Sequence, residues 1–318
     1  MRNRRDLPAT ARATYNCRLW AHFGEKVSNT GHSRWQHLVA PGALAALTAG
    51  DVRLFEVGFG ALPAFLAGHI PGAAYLDTAE MESAPLWNRV DDAALVALLL
   101  RHGVRHDSTV ILYGRNNLAA ARAAHLMLYA GVADVRLLDG GFHAWRAAGV
   151  PAEASPGRSY PPATSFGAAV PAHPGYLLDM DAARRLQRDE PAVLVSVRTW
   201  QEYSGHTSGY PYIDARGDIP GALWGRILND DDINGMSEFH RVDGRMAHAD
   251  DIRRLWAGAG IHPGRRAVFY CGTGWRASLA FFYAWLMGWD EIGVYDGGWC
   301  EWSRDATNPV VCRADAGA

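Results

Sequence analysis

Residues 270–278 read Tyr-Cys-Gly-Thr-Gly-Trp-Arg-Ala-Ser, and the apolar run Ala-Val-Phe-Tyr closes just before the cysteine. A thiolate is a strong nucleophile, and its surroundings decide how readily a cysteine reaches that state. Gly272 and Gly274 let the backbone take conformations that other residues resist. The amides of Gly272, Thr273, Gly274, Trp275 and Arg276 can then converge on one anion. A helix expected from about Ser278 adds partial positive charge at its N-terminus. This spacing predicts a cradle for a thiolate, or for a persulfide anion if Cys271 takes up a second sulfur. Arg276 is expected to bring a full charge to the rim, and Trp275 to wall the mouth.

Four readings of this stretch compete. A buried, inert thiol is a common fate for a lone cysteine. It does not account for two glycines and an arginine in a strand-to-helix turn. The run "GTGWRA" also fits a dinucleotide-binding G-x-G-x-x-A, and Asp296 stands where a ribose-binding acid would be. That motif falls in the last strand–helix unit, however, with little chain left to complete a nucleotide fold. A cysteine phosphatase would separate its cysteine and arginine by five residues. Here only four lie between Cys271 and Arg276, one too few to close around a tetrahedral phosphate. Transfer of a single sulfur atom suits the smaller loop.

The elements that must position this loop belong to a duplicated unit. Residues 110–145 and 267–302 align without a gap at an offset of 157. Tyr113 matches Tyr270, Gly131 matches Gly288, Trp145 matches Trp302, and Asp139-Gly140-Gly141 matches Asp296-Gly297-Gly298. Upstream, "LFEV" from Leu54 resembles "LVSV" from Leu194, and "GHIPGA" from Gly68 resembles "GDIPGA" from Gly217. The offset grows from 140 to 149 between these pairs, which marks an insertion at residues 205–217, "GHTSGYPYIDARG". Its Tyr210, Tyr212 and Arg216 are candidates to frame a cleft or meet a partner. In each copy short apolar strands alternate with helices, and "AALVALLLRHG" and "ADDIRRLWAGAG" are helices closed by glycine. The fold expected is α/β, two tandem domains, each a parallel β-sheet flanked by helices on both faces. The boundaries read as an N-terminal extension 1–36, a first unit 37–150, a linker 151–173 and a second unit 174–318. The linker's proline, alanine and serine suit a solvent-exposed crossing.

Bulk composition narrows the partners. A chain of 318 residues, 49% hydrophobic, fits two domains with a sizeable core for each. Thirty-one basic residues against 33 acidic give a net charge of −2, which is no footprint for nucleic acid or an anionic membrane. No apolar run reaches the length of a membrane span. The start lacks the apolar segment of a secretory signal. The four cysteines, Cys17, Cys271, Cys300 and Cys312, make neither a zinc spacing nor a disulfide framework, so a reducing, cytoplasmic setting is expected. The 13 histidines form no H-x-H or H-x-x-H pair, and neither a metal nor a cofactor is expected.

Together the Cys271–Ala277 loop, the duplication and the paired Ile-Pro-Gly-Ala and Asp-Gly-Gly turns give the chain a family likeness. It resembles a tandem-domain rhodanese, of the thiosulfate or 3-mercaptopyruvate sulfurtransferase family, over about residues 38–305. The resemblance implies that Cys271 is the nucleophile and that only the second unit is active. Gly114 stands at the position of Cys271, and Ala119 at that of Arg276. Arg198 matches the family's substrate-orienting arginine in a D-x-R pattern, although the aspartate is replaced in Ser196-Val197-Arg198. The implied reaction is a double displacement through a Cys271 persulfide, with Arg198 and Arg276 binding a small anionic donor. Thiosulfate is the donor that Arg276 favours. 3-Mercaptopyruvate is the alternative, because Cys-Gly-Thr-Gly resembles the C-G-S-G loops associated with it. Cyanide, a thiol or a protein would accept the sulfur. His69 is read as a structural turn residue, with a role in the cleft as the alternative. Cys300 is read as packing, Cys312 as a chance thiol near the C-terminus, and Cys17 as part of the extension. The reading from another class is a rhodanese-like binding or regulatory module without turnover, which the first unit fits.

Overall fold

The computed structural model describes residues 33–48, 50–188, 192–225 and 236–313. The first unit contains strands β1 (Leu38–Val39), β2 (Val52–Gly58), β3 (Ala74–Asp77), β4 (Glu82–Ser83), β5 (Asn88–Arg89), β6 (Thr109–Tyr113) and β7 (Asp134–Leu138). Its helices are α1 (Pro41–Leu47), α2 (Leu62–Ala67), α3 (Asp92–Arg101), α4 (Asn117–Ala130) and α5 (Gly141–Ala147). The second unit contains β8 (Leu177–Leu178), β9 (Val193–Ser196), β10 (Leu223–Trp224), β11 (Ala267–Tyr270) and β12 (Ile292–Tyr295). Its helices are α6 (Met180–Arg188), α7 (Trp200–Ser204), α8 (Ala249–Gly258), α9 (Trp275–Leu286) and α10 (Gly298–Trp302).

Each unit forms a five-stranded sheet, ordered β1-β7-β6-β2-β3 in the first and β8-β12-β11-β9-β10 in the second. Every pairing within these two sheets is parallel. The orders are equivalent strand for strand, so the duplication seen in the sequence is a duplication of architecture. Parallel strands covered on both faces read as unbroken apolar runs. β9, β11 and β12 are buried along their whole length. Side chains alternate between faces along a strand. Ile111 and Tyr113 therefore pack outward with Leu138 and Trp145, and Val268 and Tyr270 with Trp299 and Trp302.

The inward faces do not form two separate cores. A single cluster joins Leu112, Ala123 and Leu126 of the first unit to Ala280, Phe281 and Ala284 of the second. Helices α4 and α9 pack along each other at its centre. The alanines of α4 let the large side chains of α9 approach closely, and both helices are buried around almost their full circumference. Each unit keeps a core of its own on its outer face, while on the inner face each uses the other as its cover.

The linker is irregular and mostly exposed, as expected, and it is strapped onto the first unit at two points. Tyr160 and Phe166 are buried, and the Leu54 amide donates to the Tyr160 hydroxyl at 2.7 Å. Composition reported the proline content and missed that two aromatics were available as anchors.

Candidate active site

Cys271 follows directly on β11 and is fully buried. The amide of Gly274 donates to its Sγ at 3.2 Å. Gly274 has φ +105°, in the left-handed region that favours glycine, and it turns the chain straight into α9. The helix therefore begins at Trp275, earlier than the expected start near Ser278, and Arg276 lies in its first turn. The loop is held from below by α10. Trp299 N donates to the Cys271 carbonyl at 2.8 Å, and Cys300 N to that of Gly272 at 3.0 Å. Gly298 has φ +53°, and a β-carbon there would lie 2.5 Å from the Cys271 carbonyl oxygen. The Asp-Gly-Gly turn is thus a docking device for the cysteine loop. The first unit repeats it, with Phe142 N donating to Gly114 O at 3.0 Å.

Arg276 does not reach the rim. It is fully buried and makes a two-pronged pair with Glu202, Nη1 to Oε2 at 2.7 Å and Nη2 to Oε1 at 2.9 Å. A buried guanidinium needs a partner, and Glu202 is fixed to serve as one. Thr199 and Glu202 form a reciprocal capping box at the start of α7. Burial pushes the Glu202 carboxyl upward, but Arg276 and Arg198 outweigh it and hold the group down at about 2. Arg198 is likewise buried. It donates to the Gly217 carbonyl at 2.7 Å and to Asp218 at 3.2 Å, and it stacks over the Trp299 ring. Asp218 also accepts from Ser196 at 2.8 Å and from the Tyr270 hydroxyl. Asp218 therefore supplies the acid that the serine at position 196 removes. Both arginines, expected to bind the donor, lie buried beneath the loop in ion pairs, and Nε of each is buried without a hydrogen bond among the described residues.

The open space lies between the units. A cleft of about 280 Å³ is lined by Phe59, Glu82 and Trp87 of the first unit, and by Tyr210, Tyr212, Thr273 and Trp275 of the second. The insertion thus supplies two cleft walls. The Tyr210 ring lies so close to Gly272 that a β-carbon there would fall within it. Arg216 of the insertion is exposed. Trp275 Nε1 donates to Glu82 Oε1 at 2.6 Å across the unit boundary. Burial raises the Glu82 carboxyl's pKa, with Arg122 opposing. His69 is turned inside the first unit, stacked on Phe65 and in contact with Glu153 of the linker at 3.2 Å. It does not line the cleft. Cys300 is buried on α10, Cys312 is exposed, and Cys17 lies outside the described residues. Among the described residues no His, Cys, Asp and Glu cluster could hold a metal ion, and no helix is long and apolar enough to cross a membrane.

Sequence reasoning missed four acidic or basic residues here: Glu202, Asp218, Glu82 and Arg122. A signal existed for three. Thr199-x-x-Glu202 is a capping-box spacing, and Asp218 occupies the place of His69 in the repeated Ile-Pro-Gly-Ala turn. Arg122 stands alone among the alanines of α4, a charge with no apparent reason on an apolar helix. Glu82 left no signal.

A model of the rhodanese-like domain matches residues 43–148 and 179–305. The chain is 50% identical over 295 residues to the thiosulfate sulfurtransferase YnjE of Escherichia coli, covering 91% of this chain and 66% of that protein. The crystal structure of YnjE superposes with a TM-score of 0.84 at 49% identity, over 87% of this chain and 68% of that one. The chain therefore spans about two thirds of the length of this relative. It is also 31% identical to the sulfur carrier protein TtuD of Thermus thermophilus, over 77% of this chain and 85% of that protein. The anaerobic ergothioneine biosynthesis enzyme of Chlorobium limicola, solved with trimethyl histidine, superposes with a TM-score of 0.83 at 36% identity, over 87% of this chain and 70% of that one. The same family matches both halves of one pseudo-symmetric body, and this chain belongs to it: a tandem rhodanese with its cysteine loop in the second unit.

Proposed function

We propose that this chain is a sulfurtransferase that carries sulfane sulfur on Cys271, with thiosulfate as its donor. One observation carries the reading: a loop amide is aimed at the Cys271 sulfur at 3.2 Å, within a turn that glycine alone makes accessible. The likeness to a thiosulfate sulfurtransferase at 50% identity supports the donor. In the first step the Cys271 thiolate attacks the outer sulfur of thiosulfate. A new S–S bond forms, the bond to the sulfonate sulfur breaks, and sulfite leaves with the electron pair. Cys271 then bears a persulfide anion, which the loop amides and the N-terminus of α9 stabilise. An acceptor such as cyanide takes the outer sulfur and returns the thiolate. Arg198 and Arg276 act here by shaping the loop from below. With 3-mercaptopyruvate as donor, pyruvate would leave instead.

The walls of the cleft favour a second reading for the acceptor. Phe59, Trp87, Tyr210, Tyr212 and Trp275 form an aromatic enclosure, and Glu82 is the acid among its lining residues. Aromatic faces and a carboxylate attract organic cations such as quaternary ammonium groups. Structures of EanB show ergothioneine linked to a persulfide cysteine, and variants at an upstream tyrosine and at the threonine two places after that cysteine. Counted from Cys271, those positions are Tyr212 and Thr273. An imidazole carrying a trimethylammonium group is then the acceptor, taking the outer sulfur at a ring carbon while its hydrogen passes to Cys271.

Intact mass tests both. After brief exposure to thiosulfate, the wild type is expected to gain one sulfur, about 32 Da, and Cys271→Ser none. Faster loading from 3-mercaptopyruvate would replace the donor. No gain from either donor, with Cys271 reduced and free, would leave a binding module without turnover. Loss of the added mass on mixing with trimethyl histidine, with ergothioneine appearing, would establish the second acceptor.

A further inference from the structure

Arg122 is a fully buried charge of the first unit at the seam, and none of the chemistry above uses it. It sits on α4. Nε donates to Glu82 at 3.1 Å, and Nη2 to Asp296 of the second unit at 2.6 Å. Its third nitrogen, Nη1, is buried without a hydrogen-bond partner among the described residues. That nitrogen lies 3.1 Å from the point where a side chain on Gly274 would begin. Gly274 is the residue whose amide holds the Cys271 sulfur.

Both arms of the fork end on carboxylates whose own neighbourhoods hold the cysteine loop. Asp296 opens the Asp-Gly-Gly turn, and the amides just after that turn hold the carbonyls of Cys271 and Gly272. Glu82 accepts from Trp275, the first residue after Gly274. A single guanidinium thus grips the loop before and behind, with its free edge against the middle. Planar, five-donor geometry suits such a role, and a lysine cannot reproduce it.

The repeat supplies an internal comparison. Asp296 accepts the Arg89 amide across the seam at 2.9 Å, and Asp139 accepts the Met246 amide at 2.7 Å. These pairs are equivalent at the repeat offset of 157. The clamp is not duplicated. The counterpart of Arg122 is Leu279, buried and apolar, and strand register pairs Glu82 with Arg89 as it pairs His240 with Met246, so the carboxylate's counterpart is a histidine. The charged clamp exists only over the loop that holds a cysteine.

We propose that Arg122 is a positioning residue for the Cys271 reaction, through which the unit lacking a nucleophile sets the geometry of the loop that has one. This rests on the reading of Cys271 as the sulfur carrier. The test is single-turnover loading of Cys271 by thiosulfate, followed by intact mass in the full chain, with thermal melting alongside. Arg122→Gln is expected to load about 10- to 100-fold more slowly at saturating donor, less than the roughly 100- to 1,000-fold lost with a donor that touches the reacting charge itself. Its half-saturating thiosulfate concentration should stay within about twofold, because Arg122 does not line the cleft. Arg122→Lys should fall between, about tenfold slow, since it keeps the charge without the fork. Asp139→Asn weakens the mirror contact, and should lower the melting temperature while loading at the wild-type rate. Wild-type loading by either Arg122 variant overturns the proposal. So does an equal slowing in Asp139→Asn, or a half-saturation that rises in step with the loss of rate. If the glutamine variant does not fold, the lysine variant alone decides. Absence of loading in the wild type would instead remove the sulfurtransferase reading.

Discussion

Glu202 holds two arginines beneath the cysteine loop while its own side chain caps α7. Its pKa falls from 4.5 to about 2, so the folded state favours the carboxylate. The sign follows by linkage. The stabilisation is complete above about pH 4.5 and is lost as pH falls through about 2. Glu202→Gln should cost about 3–5 kcal/mol at neutral pH, the usual effect of breaking a buried pair. Urea midpoints of wild type and variant should converge between pH 4.5 and 2. Gly298 offers a second test, because it combines a left-handed φ with no room for a β-carbon. Gly298→Ala should lose about 1–3 kcal/mol or more, and it should free Cys271 for faster alkylation by iodoacetamide. At this scale the sequence disclosed the nucleophile and its glycines, whose meaning lies in adjacent residues. It did not disclose the work of Arg276. Spacing says what stands beside a residue in the chain, and the partner of Arg276 lies on α7, an element far away in sequence.

Helices α4 and α9 carry the seam, and His125 lies within it. Its Nε2 donates to the Tyr176 carbonyl at 2.8 Å, and the ring is completely enclosed. Burial first, and Arg122 second, lower its pKa from 6.5 to about 4. The unfolded chain therefore binds a proton that the folded one refuses. Stability should be full above about pH 6.5 and decline as pH falls toward 4. His125→Gln should flatten that slope, checked by urea unfolding at half-unit pH steps. The pattern of apolar residues made both elements legible as buried helices. It could not say what buries them, because an all-round apolar helix is satisfied by any cover. The sheet orders were foreseeable from alternation alone only as "parallel"; the placement of β8 and β10 at the edges depends on crossovers that no local pattern encodes.

One core runs through both halves of the molecule, and the halves should therefore unfold together. Fluorescence and far-ultraviolet circular dichroism are expected to report one coincident transition. Phe281→Ala, at the centre of the seam, should cost about 3–5 kcal/mol and keep the transition single. A fragment of residues 174–318 should not fold alone, since it would expose the buried face of α9; a sharp native-like melt of that fragment would refute the shared core. The reciprocal contacts of Asp139 and Asp296 have a consequence for how such a molecule assembles. Matching patches that hold each other in both directions are what a two-fold axis makes between identical subunits. Here both partners lie on one chain, so the encounter is always at high effective concentration and cannot be diluted away. Nor must the two partners stay alike, as they would in a homodimer. A charge can be written on one side of the axis and omitted from the other, as Arg122 and Leu279 are, and the pairing survives the difference.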